Sequence, residues 1–367
     1  MLIQETVEQN KPKKELDHRP FFSIVIPCYN SGSTIGNLLQ SIVDQNLPED
    51  IEVIISDDHS TEDYFDVVNQ FADKISMRLT YTEYNWAPGN TREAGAKLAS
   101  GQWICFADHD DEFIPDKLPI IKKEIEDHDE KYFAIANFYE VRPETGQIIS
   151  EMVRSRNWNH AKFYNIDNLW KPFDIHFKKD LLSHEDIYIS VSVNCALQSI
   201  NHEDPLFIDC FCYKWMARPG SLSRKQYGDH DFLEVFFKDY LDVTGYVYIE
   251  QYEKHKISPD YAKDGAIGVL LLSYFYSESF IFTHPHNYKH ETFEYLTDFL
   301  IRCKEVFGIT NEFIWNYAAM HNAEFYCKQR KTAAMCTGGF IPSRSFGKWL
   351  DDLHHDIVPR NNSIMHM

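Results

Sequence analysis

The sequence predicts an α/β fold: a Rossmann-like, mostly parallel sheet flanked by helices, followed by a mainly helical C-terminal region. Three observations lead there. Over residues 21–127, short apolar runs that suit strands buried on both faces alternate with segments carrying apolar residues at helical spacing. Polar and acidic residues cluster just after those runs, where ligands bind in a parallel sheet. Beyond about residue 228, strand signals give way to long helical periods.

Residues 1–20 are rich in Lys, Glu and Gln and read as a flexible lead-in. Phe22–Cys28 is the first buried strand. A helix follows over Ser33–Gln45, with Ile35, Leu38, Leu39, Ile42 and Val43 on one face and Ser33 as N-cap. The alternation continues with strand Ile51–Ser56, helix Thr61–Ala72, strand Met77–Glu83 and helix Thr91–Ala99. Strand Gln102–Ala107 and helix Asp116–Asp127 complete it, and such spacing implies right-handed crossovers in a doubly wound sheet. From 132 to 225 the pattern loosens into strands and loops around one helix at 185–200. Segments 231–243, 262–282, 291–307 and 311–336 are helical, giving three parts: 1–20, 21–227 and 228–367. Tyr274, Phe275, Tyr276, Phe280 and Phe282 lie at helical spacing, which favours a core over an aromatic surface.

Fifty-six acidic against 36 basic residues give a net charge of −20, which argues against nucleic-acid binding and against docking on an anionic bilayer without a local basic patch. The eight cysteines show no paired CxxC spacing, so a zinc site is unsupported, and free buried thiols in a reducing compartment are expected. Met1–Arg19 has no apolar core of a signal peptide, and no run of about 18 apolar residues exists to span a membrane. The expectation is a cytoplasmic protein with peripheral membrane contact at most.

Four features carry chemistry. Asp108-His-Asp110-Asp111 places three carboxylates within four residues at a strand end. Such crowding suits a hard divalent cation on phosphate oxygens, although acidic residues also cap helices. Asp57 and Asp58 follow a second strand and can accept hydrogen bonds from a base or ribose, or shape a helix entry with Ser60 and Thr61. Arg92, in Pro88-Gly-Asn-Thr-Arg92, sits in the first turns of a helix, where a nucleotide or plain solvent can meet it. Glu185 and Asp186 open the 185–200 helix, either favouring its dipole or supplying a general base.

In order and spacing, these features resemble glycosyltransferase family 2, a group with the GT-A fold. Ile24-Val-Ile-Pro-Cys-Tyr-Asn30 resembles the family's opening strand and turn, and Asp57-Asp-His-Ser-Thr-Glu-Asp63 resembles its DDGSTD segment, with His59 in place of Gly. Gly89-Asn-Thr-Arg-Glu-Ala-Gly-Ala-Lys-Leu-Ala-Ser-Gly101 leads into the metal motif. Leu169–Leu182 loosely matches a later element, Glu185-Asp186 matches the base motif, and Tyr213–Ser223 matches a terminal element. The resemblance covers residues 21–225 and implies an inverting transferase using a UDP-sugar and Mn²⁺ or Mg²⁺. It implies that Pro27, Tyr29 and Asp58, with Asn30 and Asp57 beside them, serve the nucleoside, and that Arg92 serves the nucleotide. Asp108 would approach the ribose, sugar or metal, Asp110 would bind the metal, and Asp186 would be the base. A histidine beyond the base motif completes the metal site in some relatives; His230 is the candidate, a surface-loop histidine the alternative.

No Gln/Arg-x-x-Arg-Trp motif is present, so the resemblance is to enzymes adding one sugar per encounter. A nucleotidyltransferase would want a Gly-rich, Lys/Arg-bearing loop, whereas the first strand runs into Pro27-Cys-Tyr-Asn-Ser-Gly32. A catalytically inactive sugar- or protein-binding module is the other alternative. The donor sugar stays open, as does the acceptor among surface polysaccharide, lipid-linked glycan and glycoprotein. The C-terminal helices are candidates for an acceptor platform or a homo-oligomer contact.

Overall fold

The computed structural model describes residues 14–82, 88–156, 158–179, 181, 184–202, 204–218, 241–254, 256–283, 291–321 and 345–354. The chain divides into two compact units, residues 1–225 and 226–367.

In the first unit, the sheet is built from β1 (Phe22–Cys28), β2 (Ile51–Asp57), β3 (Ser76–Tyr81), β4 (Trp103–Phe106), β5 (Glu112–Phe113), β6 (Phe133–Arg142), β7 (Gln147–Met152), β8 (Lys162–Asn165) and β9 (Leu206–Met216). Its order is β3-β2-β1-β4-β8-β6-β9-β5, with β7 paired to β6. The helices are α1 (Ile35–Val43), α2 (Phe65–Asn69), α3 (Pro88–Ala96), α4 (Leu118–Asp127) and α5 (Glu185–Ser199). β1 and β2 are buried almost end to end, as strands covered on both faces must be, which is why they read as unbroken apolar runs.

The strands β3, β2, β1 and β4 are mutually parallel. Beyond β4 the sheet becomes mixed: β8 runs antiparallel to β4 and β6, whereas β9 runs parallel to β6. The register Cys28↔Asp57 brings the ends of β1 and β2 level, and β4 ends beside β1 on the same edge. The acidic loops after these three strands therefore share one side of the sheet.

Two helix starts differ from expectation. Thr34, not Ser33, precedes α1, and its hydroxyl bonds the Ser31 carbonyl and the His109 ring instead of the helix's own amides. The expected Thr61–Ala72 helix shortens to Phe65–Asn69, because residues 60–62 are held in a loop by Asn30.

α3 packs closely on the sheet at Gly95, where an added Cβ would come 2.5 Å from Val25 Cγ1 and 3.3 Å from Ser56 Cβ. The second unit contains α6 (Tyr246–Glu253), α7 (Pro259–Thr283), α8 (Glu291–Phe307), α9 (Asn311–His321) and α10 (Phe346–His354). Its core joins Leu270, Tyr274, Phe275, Leu296, Phe299 and Trp349. Tyr274 and Phe275 are thus core residues, whereas the side chains of Tyr276, Phe280 and Phe282 lie outside the described residues. Among the described residues, no helix is long and apolar enough to cross a membrane.

Gly95→Ala is expected to destabilise the protein by about 1–3 kcal/mol in denaturant titration, because overpacking outweighs the gain in helix propensity. An unchanged midpoint would show that α3 can lift from the sheet without loss.

Candidate active site

The β1 and β2 loops are tied together by Asn30. Its backbone is left-handed (φ 50°), its amide donates to Ser60 Oγ, and its side-chain oxygen accepts from the amides of Thr61 and Glu62. Asp57 is buried, and its two oxygens accept from the Ser60 amide and the Tyr64 hydroxyl. Both residues thus shape the loop. Asp58 is also buried and accepts from the Thr82 hydroxyl at 2.8 Å. Pro27 is half-buried near the end of β1, and Tyr29 is 43% exposed just beyond it.

His59 is left-handed, with φ 59°, a conformation that costs an ordinary residue what glycine adopts freely.

Arg92 joins the separate motifs. Its guanidinium is buried, with one Nη 2.6 Å from Asp108 Oδ1 and the other 2.8 Å from Glu185 Oε1. Its Nε is buried without a hydrogen-bond partner, as is the neighbouring Thr91 hydroxyl. Gly89 makes this approach possible: a Cβ there would meet Glu185 Cβ at 3.2 Å. The DxD loop and the first turn of α5 are thereby held on either side of one cation.

The three carboxylates of the DxD loop have different surroundings. Burial pushes Asp108 up, but Arg92 and then His160 outweigh it and hold the carboxyl below its usual range. Burial and the charge of Asp108 push Asp110 up. Asp111 is raised well above the carboxylate range by burial and by both neighbours, although its oxygens accept from Tyr213 Oη and the Met216 amide. Asp110 has Arg218 as its counter-charge, with Nε 3.2 Å from Oδ2.

Ligand atoms of Asp108, Asp111 and His160 lie within 4.8 Å of one another. His160 is buried against the Tyr213 and Trp215 rings, and burial brings its pKa down to about 4. Hard carboxylate oxygens crowded at this density suit a divalent cation, which would relieve their mutual repulsion. Asp111 is already committed to two protein donors, so Asp108 and Asp110 are the carboxylates with capacity for it. His230 lies outside the described residues.

Asp186 follows Glu185 in the first turn of α5, and its carboxyl is pushed up to about 7, by burial first and then by Glu185. The strand-end aspartates, Arg92 and the 185–186 pair were visible as motifs. His160, Tyr213 and Arg218 were not singled out, because their part depends on the pairing of β8 with β4 and of β9 with β6 and β5. For Tyr213 and Arg218, the resemblance over Tyr213–Ser223 was the available signal.

Residues 23–183 match the glycosyl transferase family 2 model, and this segment of the chain is a family 2 glycosyltransferase domain. Among similar proteins is the poly(ribitol-phosphate) beta-N-acetylglucosaminyltransferase TarS of Staphylococcus aureus. It is 27% identical over 228 residues, covering 58% of this chain and 39% of that protein. The Escherichia coli UDP-Glc:alpha-D-GlcNAc-diphosphoundecaprenol beta-1,3-glucosyltransferase WfaP is 32% identical over 121 residues, covering 32% of this chain and 45% of that protein. The chain thus spans under half the length of these curated relatives. A crystal structure of S. aureus TarS 1-349 with UDP-GlcNAc aligns with TM-score 0.57 at 20% identity, covering 87% of this chain and 93% of that one. The fold is therefore GT-A.

Replacing His59 by Gly is expected to stabilise the protein by about 0.5–1 kcal/mol, because relief of left-handed strain exceeds the extra entropy of the unfolded chain. Valine there should cost about 1 kcal/mol or more. Equal stability of the Gly and Val variants in chemical denaturation would refute this.

Proposed function

We propose that this chain transfers a sugar from a UDP-linked donor to an acceptor hydroxyl of a cell-surface or lipid-linked glycan, with inversion, and that Asp186 is the general base. The observation that carries this reading is the Arg92 fork, which sets the strand-end carboxylates and the first turn of α5 around one point. The donors and acceptors named for the relatives support it: UDP-GlcNAc on the TarS structure, poly(ribitol phosphate) for TarS and a diphosphoundecaprenol glycan for WfaP. The acceptor class is the chemistry those names share, a hydroxyl on a polymer or lipid-linked sugar. In this reading transfer takes place in the cytoplasm, at the inner face of the membrane where the acceptor is lipid-linked.

In this mechanism Tyr29, Pro27 and Asp58 receive the nucleoside at the ends of β1 and β2, while Asn30 and Asp57 fix the loop that carries them. Arg92 holds Asp108 towards the diphosphate side and Glu185 towards the acceptor side. Asp108 and Asp110 would hold Mn²⁺ or Mg²⁺; when bound, the ion neutralises charge developing on the leaving diphosphate. Asp186 takes the proton of the attacking hydroxyl as its oxygen bonds the anomeric carbon. A carboxyl near pH 7 has the proton affinity this step needs. That match favours an enzyme over an inactive binding module, for which a desolvated, half-buried carboxylate would only cost stability.

Asp186→Asn is expected to lower transfer by at least about a thousandfold while leaving UDP affinity within about twofold in calorimetry. Because the native carboxyl titrates near 7, well above its unfolded value, the group binds more protons folded than unfolded. Its contribution to stability is therefore present at low pH and fades as pH rises towards 7. The rate in the native protein should fall below about pH 7, and the Asn variant should unfold at higher temperature than the native protein at pH 8. Full activity of the variant would remove Asp186 from the role of base. Asp110→Ala should weaken UDP binding roughly tenfold in Mn²⁺ and leave it unchanged in chelator. Equal affinities under both conditions would contradict metal coordination there.

A further inference from the structure

Lys162, on β8, is 1% exposed. An ammonium in such a place is costly unless its charge is used or balanced. Its hydrogen-bond partners are neutral: the Arg156 carbonyl and Ser190 Oγ, the latter at 3.1 Å. Ser190 in turn donates to the same carbonyl at 2.8 Å. Hydrogen bonds therefore satisfy the head group without balancing its charge.

Topology places that charge at the site. β8 is antiparallel to β4, with Ile104 opposite Tyr164. Two residues further along each strand, Lys162 stands level with Phe106, the last residue of β4 before the DxD loop. Ser190 lies four residues after Asp186 on α5, so both project from the same helical face. Lys162 thus reaches from the sheet to the face of α5 that carries Asp186.

We propose that Lys162 is a positioning residue for the base: its ammonium, fixed between β8 and α5, supplies the positive charge that stabilises the ionised carboxylate of Asp186. This rests on the reading of Asp186 as base. Among the described residues, the charged and titratable groups that interact with Asp186 are Glu185 on α5, Arg92 on α3, and Lys162 and Tyr164 on β8. Burial and Glu185 raise its carboxyl; Lys162, ahead of Arg92, holds it down. Arg92 is already divided between Asp108 and Glu185, whereas Lys162 makes no ion pair among the described residues. In the other direction, burial brings Lys162 down to about 7, with Asp186 drawing it up and Arg156 pressing it further down. The pair thereby keeps a base that ionises near neutral pH and is basic enough to accept a proton.

The test is a carboxyl ¹³C NMR titration of the full chain, with Asp186→Asn used to assign the signal. Lys162→Gln retains a donor for the Arg156 carbonyl and Ser190 and removes only the charge. Its Asp186 midpoint should rise by about one pH unit or more, and the acid limb of UDP-GlcNAc turnover with Mn²⁺ should move up with it. A reciprocal arm guards against a variant that fails to fold. In Asp186→Asn, the Lys162 amine, followed by ¹⁵N-lysine NMR, should titrate lower by a similar amount, since coupling between two sites is mutual. An Asp186 midpoint unmoved in Lys162→Gln, or a Lys162 midpoint unmoved in Asp186→Asn, overturns the proposal. The reading of Asp186 as base fails separately, if Asp186→Asn still turns over the donor.

Discussion

The structure of the site depends on one buried guanidinium. Arg92 is nearly enclosed, and removing it from water would be prohibitive without the carboxylates of Asp108 and Glu185 on either side. Those carboxylates come from segments 77 residues apart in sequence, 108 and 185, so the interaction fixes tertiary structure as well as charge. Its position requires α3 to lie hard against the sheet and against α5, which explains glycine at both 89 and 95. The orphaned Nε and Thr91 hydroxyl mark this as a place with unused polar capacity.

Around that centre the carboxylates are differentiated by environment. Asp108, despite its burial, is drawn down by Arg92 and suits a permanent anion on the cation and diphosphate side. Asp186 is pushed up by burial and suits proton exchange. Opposed shifts in neighbouring acids are how one site holds charge and moves protons at a single pH. The sheet supports the same division. Its parallel strands carry the Asp57–Asp58 and Asp108–Asp111 loops, and its mixed part, with β8 beside β4 and β9 beyond β6, supplies His160, Lys162, Tyr213 and Arg218.

Much of this was legible in the sequence. β1 and β2 announce themselves because strands buried on both faces leave no polar alternation, and α5 begins where Glu185 and Asp186 favour a helix start. The strand-end aspartates, Arg92 and the Glu185-Asp186 pair sit in short contiguous stretches, so composition and order expose them. The antiparallel turn of β8 was not legible, since Lys162-Phe-Tyr-Asn165 is four residues long and its pairing is decided by long-range contacts. For the same reason nothing in the sequence singles out Lys162 or His160. The short α2 was misjudged because its polar approach is claimed by Asn30, a residue thirty positions earlier.

The measurement that tests the central claim most directly is a crystal structure with Mn²⁺ and a non-hydrolysable UDP-sugar, with the ion located by anomalous scattering. The diphosphate should lie against Asp108 and Asp110 with the ion between, Arg92 still spanning Asp108 and Glu185, and the Asp186 carboxylate opposite the diphosphate across the anomeric carbon. A diphosphate bound away from the strand-end aspartates, or Asp186 on the leaving-group side of the sugar, would contradict it.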